Sequence, residues 1–178
     1  PENERRLIRR AAEVSDAALV LNPDLPFALL ASGNVDGSRQ RMRGQRQKYE
    51  RALALNPNDY RIMASVGSSR IRSGEHEAGV ELLARGVELN PADVATIWFF
   101  SQNLASIRRW DEALEQARRA VVMSHNVAVR YANTALISAH AGDGENARST
   151  ARTAAALGAG PSALASVARA AVGHGGAC

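Results

Sequence analysis

The chain has 178 residues, 46% of them hydrophobic but only 4% aromatic, and a formal net charge of +4. Its apolar mass is therefore mostly Ala, Leu and Val, which suits close-packed helices better than the bulky layers of a sheet core. No apolar run approaches the ~18 residues of a membrane span, the lone Cys178 excludes an intrachain disulfide, and so modest a positive balance is a weak argument for nucleic acid.

Residues 3–21 make the first predicted helix, with Ala11 and Ala18 at its packing points and Leu21-Asn22-Pro23 closing it. Leu-Asn-Pro returns at 55–57 and 89–91, always 34 residues on, and the same step lands on Met123-Ser124-His125. A fixed period of that length is the mark of stacked helical hairpins. It sets units 26–59, 60–93, 94–127 and 128–161, each read as two amphipathic helices of about 12–16 residues joined by a turn. Small residues recur where the two helices must approach: Gly33, Gly67, Ser101 and Ala135 in the first, Ala52, Gly86, Ala120 and Ala154 in the second. Gly74 and Gly142 fall at the turn inside the hairpin, where a left-handed residue ends a helix. Asn-Pro stops the second helix, because the residue before proline avoids the α region.

The register also marks departures. Unit 26–59 carries Asp36-Gly37-Ser38 where its first helix should continue and Gln45 where a small residue is usual, so an early helix end and a mobile Arg-rich stretch over 37–46 are expected. The last unit has Ala159 in place of the closing proline, which predicts slackening toward the C-terminus, with hydrogen exchange fastest over 128–178. Residues 1–25 read as the orphan second helix of a truncated repeat, as in a fragment of a larger bacterial protein. Residues 162–178 read as a capping helix, with Arg169 where a continuing repeat wants a small residue, followed by a disordered tail from Gly173.

Gly74-Glu75-His76-Glu77-Ala78-Gly79-Val80-Glu81-Leu82-Leu83-Ala84-Arg85-Gly86-Val87-Glu88-Leu89-Asn90-Pro91 closely resembles the second helix of a tetratricopeptide (TPR) repeat, as does Trp110-Asp111-Glu112-Ala113-Leu114-Glu115-Gln116-Ala117. The resemblance implies an all-α fold, a right-handed α-α superhelix whose first helices line a groove. It departs at the aromatic usual late in the first helix, where Asp36, Arg70, Leu104 and Ser138 stand. The family's groove positions fall on Phe27, Leu30 and Asn34; Arg61, Ser65, Ser68 and Arg72; Trp98, Phe99, Gln102 and Ser106; Ala132, Asn133, Leu136 and His140. They imply an aromatic platform, Trp98 and Phe99, beside the guanidinium groups of Arg61 and Arg72, with Asn34, Gln102 and Asn133 able to bond an extended peptide backbone. In the alternative, Trp98 and Phe99 fill the core between repeats and Arg61 and Arg72 are solvated surface. A family subset clamps carboxylate tails with Lys and Asn; here only Asn34 matches, while Leu30, Ser65, Ala95 and Phe99 oppose that activity.

The expected function is a protein–protein interaction scaffold binding a peptide or partner domain. Alternatives are the regulatory segment of a bacterial adenylate cyclase or helix-turn-helix transcription regulator, to whose repeats these are similar, and self-association through the open N-terminal face. The expected setting is cytoplasmic, since one cysteine suits a reducing compartment and the opening residues form no hydrophobic leader. The run Arg39, Arg41, Arg43, Arg46, Lys48, Arg51 lacks the interleaved aromatics of a base-stacking surface. Catalysis is not expected. His76-Glu77 lacks the second histidine of a zinc helix because Val80 stands there, and Gly158-Ala159-Gly160 lacks the Lys-Ser/Thr of a phosphate loop. His125 replaces a turn proline, and His174 and Cys178 lie on the tail. No cofactor or metal is expected.

Overall fold

The computed structural model describes residues 2–124 and 127–174, with side chains through Ala170. Ten helices and no strands occur among them: α1 (Glu2–Leu21), α2 (Pro26–Ser38), α3 (Met42–Leu55), α4 (Tyr60–Arg72), α5 (His76–Leu89), α6 (Val94–Ser106), α7 (Trp110–Ser124), α8 (Ala128–His140), α9 (Gly144–Ala156) and α10 (Pro161–His174). Helices α1–α5 form one compact unit and α6–α10 a second. The readings placed on His125 and Cys178 lie outside the described residues. Of the tail expected to be disordered, Gly173 and His174 continue α10, and 175–178 are not described.

In the first unit α2 pairs with α3 and α4 with α5. The α4–α5 hairpin closes through two glycines: a methyl on Gly79 would meet the Gly67 carbonyl oxygen at 2.5 Å, and one on Gly67 would meet the Gly79 oxygen at 2.7 Å. Backbone touches backbone there, so neither site has room for a side chain. Leu29, Tyr49, Ala52, Ile62 and Val66 form the core beside them, with Leu19 of α1 packed on its edge. In the second unit the corresponding contacts use Ser101, Ala113, Ala120, Ala135, Ala147 and Ala154, none more than 1% exposed. Ala139, Ala147 and Ala170 tie α10 to the α8–α9 hairpin.

Each hairpin turn has the same construction. Gln40, Gly74, Arg108 and Gly142, in register every 34 residues, have φ of 58°, 88°, 64° and 81°. The next residue's N–H then bonds back across the turn: Arg41 to Asp36 O at 2.8 Å, Glu75 to Arg70 O at 3.0 Å, Arg109 to Leu104 O at 3.1 Å and Asp143 to Ser138 O at 2.9 Å. These are Schellman ends. The sequence marks only the two that are glycine.

Two expectations require correction. Residues 37–46 are not a loop: α2 continues to Ser38 and α3 begins at Met42. The Asp36 side chain, only 6% exposed, is held by Arg41 Nη2 and Lys48 Nζ, both at 2.7 Å, which offsets the cost of burying it in a helix. Gly37 makes room for the oversized Gln45, whose Nε2 a methyl on Gly37 would overlap. The second correction concerns α1. It buries Ala12 and Ser15 instead of Ala11 and Ala18; Ala11 is exposed because α2 alone packs closely on this helix.

At the C-terminal end of α9 a glycine replaces the missing proline stop. Gly158 takes φ 86°, and Ala159 N bonds Ala154 O at 2.9 Å. The α3 and α5 helices instead stop at Asn56 and Asn90, whose ψ of 79° places them outside the α region ahead of proline.

Candidate partner-binding surface

In the first unit the surface is built from α2 and α4. Asp59 caps α4, accepting from the amides of Arg61 at 3.0 Å and Ile62 at 3.2 Å. Burial pushes its carboxyl up, but hydrogen bonds from Arg61 and the two amides, with the Arg61 charge, outweigh that and hold it below the usual carboxylate range. Arg61 is thereby oriented: it pairs with Asp59 at 3.2 Å, and its guanidinium carbon lies 4.4 Å from the Phe27 ring centre and 5.5 Å from that of Tyr60. Phe27 is 42% exposed, so the stack stands at the surface. Ser65 Oγ donates back to Arg61 O at 3.0 Å.

Arg72 is tethered within the unit. Its Nη1 donates to Ser68 Oγ at 2.8 Å and its Nη2 to Gln45 Oε1 at 3.1 Å. Gln45 Nε2 donates to the Tyr49 hydroxyl at 3.1 Å, and that hydroxyl donates to Asn34 Oδ1. Burial raises the Tyr49 hydroxyl above its ordinary pKa, against the opposing effects of Gln45 and Arg72. Ser68, at 4% exposure, lies beneath this chain of bonds. Asn34, Ser68 and Arg72 thus belong to one network that also joins α2, α3 and α4. Gln45 and Tyr49 were not legible as members of it; Gln45 stood out only as a residue too large for its position.

In the second unit α6 presents Trp98, Phe99 and Gln102. Phe99 is 36% exposed, while Trp98 and Gln102 are half-buried. The Trp98 Nε1 and Gln102 Nε2 donors are covered, one helical turn apart, and no acceptor among the described residues reaches either. On α8, Asn133 is half-buried, and His140 stacks on Trp110 with ring centres 4.7 Å apart and planes 13° from parallel. Trp110 was not anticipated here, since its position in the repeat is otherwise filled by Met42, His76 and Gly144.

The basic run is largely used internally: Arg41 and Lys48 on Asp36, Arg46 on Glu75, Arg51 on Asp24. Among the described residues no three His, Cys, Asp or Glu side chains gather as metal ligands, and no helix is long and apolar enough to cross a membrane.

Hairpins repeating at this register define a helical-repeat protein, and the fold is that of tetratricopeptide-repeat proteins. The chain is similar to YrrB, described as a TPR protein with an unusual peptide-binding site, at 21% identity and a TM-score of 0.70 over 94% of this chain and 86% of that one. It is also similar to MamA, at 15% identity and a TM-score of 0.69 over 88% of this chain and 91% of that one. No family model matches the sequence, and no curated protein matches it.

Proposed function

We propose that the chain is a protein–protein interaction scaffold that binds an extended peptide segment along the α6 face, and that it has no catalytic activity of its own. One observation carries the reading: an exposed Phe99 stands beside two indole and amide donors, Trp98 Nε1 and Gln102 Nε2, that lack acceptors among the described residues. Side-chain adjustment at Gln102 opens those donors to peptide carbonyls, while Phe99 supplies the apolar anchor of a hot spot. Asn133 and His140 extend the candidate surface on α8. In the first unit the Arg61–Phe27 stack and Ser65 are the groups available to a partner, with Arg72, Ser68 and Asn34 as their support. The unusual peptide-binding site ascribed to YrrB accords with this class of function.

The test is to pan a library of random linear peptides on the whole chain. Enriched peptides should lose at least about tenfold in affinity with Phe99→Ala or Gln102→Ala, the usual size of a hot-spot truncation. Peptides indifferent to both substitutions refute the site. A second reading, self-association, is favoured by the open face of α1, where Leu7, Val14 and Leu21 are 60%, 57% and 88% exposed.

A further inference from the structure

The outer face of α1 carries Leu7, Ala11, Val14, Ala18 and Leu21, spaced four, three, four and three residues apart. That is the spacing of a two-helix seam, with the alanines at one core position and Leu, Val and Leu at the other. No other described helix covers it: α1 packs on α2 through Ala12, Ser15 and Leu19, a different stripe. The exposed large side chains form a contiguous apolar strip, which on a folded chain marks an interaction surface.

We propose that this strip pairs with the same strip of a second copy, the two α1 helices running antiparallel about a two-fold axis at Val14. This rests on the self-association reading and specifies its geometry. The strip reads Leu-Ala-Val-Ala-Leu in either direction, so about an axis at Val14 each Leu7 lies level with Leu21 of the other copy and each alanine within one residue of the other copy's alanine. Alanine at one core position lets the helix axes approach to about 8 Å, the near end of helix spacings, while leucine closes each end. An isologous contact of this kind also closes with two copies.

Charge selects the antiparallel direction. Arg5, Arg6, Arg9 and Arg10 outnumber Glu2 and Glu4 in the first half of α1, Arg10 also pairing with Glu13 in its own helix, and the last turn has no basic residue. A parallel pair would set the two arginine clusters side by side. With the axis at Val14, residue Arg6 faces position 22 of the second copy and Arg10 faces position 18. Each cluster then meets the partially negative carbonyl end of the other helix. The two clusters are separated by about 20 Å along the axis, roughly two screening lengths at physiological salt.

The test uses the whole chain with Cys178→Ser. Sedimentation velocity over rising concentration should reveal a monomer–dimer equilibrium, and Val14→Glu should raise its dissociation constant at least about 100-fold, because two carboxylates would face each other at a dry axis. Circular dichroism should be unchanged, since Val14 is exposed in the single chain. On the same background, Val14→Cys should be cross-linked between copies by a short bismaleimide, and Asn3→Cys, about 30 Å from its mate in this arrangement, should not. A chain that stays monomeric overturns self-association and the proposal together. A dimer indifferent to Val14→Glu, or cross-linked at position 3 and not at 14, overturns the antiparallel α1 pair and leaves self-association by another face.

Discussion

Arg108→Gly should make the protein more stable although it deletes a long side chain and adds the poorest non-proline helix former. Arg108 closes α6 at φ 64°, in the left-handed region, and Gln40 closes α2 at 58°. For a residue with a Cβ that conformation costs about 1–2 kcal/mol. Glycine occupies it freely but loses about 0.5–1 kcal/mol more backbone entropy on folding. The difference predicts a gain of about 0.5–1 kcal/mol at each site, and Arg108 is exposed, so little packing is lost. The register supplies the converse. A methyl added at Gly74 or Gly142 would meet nothing within 4 Å, so Gly→Ala there isolates backbone strain and should cost a similar amount. Urea denaturation followed by circular dichroism at constant slope reads these changes; in melting temperature they amount to about 1–4 °C for a chain of this size. If Arg108→Gly is neutral or destabilising while Gly74→Ala is harmful, side-chain contacts at Arg108 outweigh backbone strain, contrary to this expectation.

Gly79→Ala should destabilise by about 2 kcal/mol or more from backbone overlap, despite Ala's advantage of about 1 kcal/mol in a helix, because its methyl would lie 2.5 Å from Gly67 O; a stability equal to wild type in urea would mean that α4 and α5 separate freely. Asp59→Asn keeps an N-cap but removes a titrating group. The folded carboxyl is depressed below its unfolded value of about 3.9, so its ionic contribution is present above that pH and is lost as pH falls through the folded pKa. The urea midpoints of wild type and variant should therefore converge on going from pH 6 into strong acid; a constant gap would show that the Arg61 pair contributes nothing. Amide exchange should be faster over 128–174 than over 60–123, since α8–α10 bury mostly alanines beside Ile137 and Val167, and so less apolar area than a stretch burying Ile62, Met63, Val66, Leu83, Ile97 and Leu104. Equal protection would refute this.

The hairpins were legible because a 34-residue spacing leaves its mark at every close approach, and Gly33, Gly67, Ser101 and Ala135 are all buried where the register puts them. What escaped was the compensation at unusual residues. The position late in each first helix holds Asp36, Arg70, Leu104 and Ser138, and each is accommodated differently. Asp36 meets Lys48, Arg70 makes two bonds to Glu50 at 3.0 and 2.9 Å, Leu104 is simply buried, and Ser138 Oγ accepts from Asn146 at 2.8 Å. The partners, Arg41 on Asp36 among them, come from 5 to 20 residues away in no fixed pattern, so periodicity could identify the departure without identifying its partner. Local turn signals failed for the same reason at Asp36-Gly37-Ser38, where tertiary ion pairs keep a weak helical segment helical.

Those partners bear on what the surface can recognise. Guanidinium groups are repeatedly spent between helices: Arg46 on Glu75 at 2.5 Å, Arg70 on Glu50, Arg118 on Asp143 at 2.7 Å, and Arg119 on the Pro91 carbonyl at 2.9 Å. The exposed pairs add little stability singly, but the bidentate Arg70–Glu50 bond, which raises the arginine's pKa, is a stronger joint between α3 and α4. Arg72 is likewise committed to Gln45 and Ser68, so drawing it to a ligand carboxylate would break both bonds and leave Gln45, at 6% exposure, short of a donor. On α6 the cost runs the other way. There Trp98 Nε1 and Gln102 Nε2 have no acceptor among the described residues, and a carbonyl brought to either by side-chain adjustment satisfies a donor without displacing a hydrogen-bond partner. If the α6 face binds a peptide as proposed, these energetics favour a neutral, extended, acceptor-rich segment over an acidic tail, and a panned peptide population dominated by Asp, Glu and free carboxylates would contradict that preference.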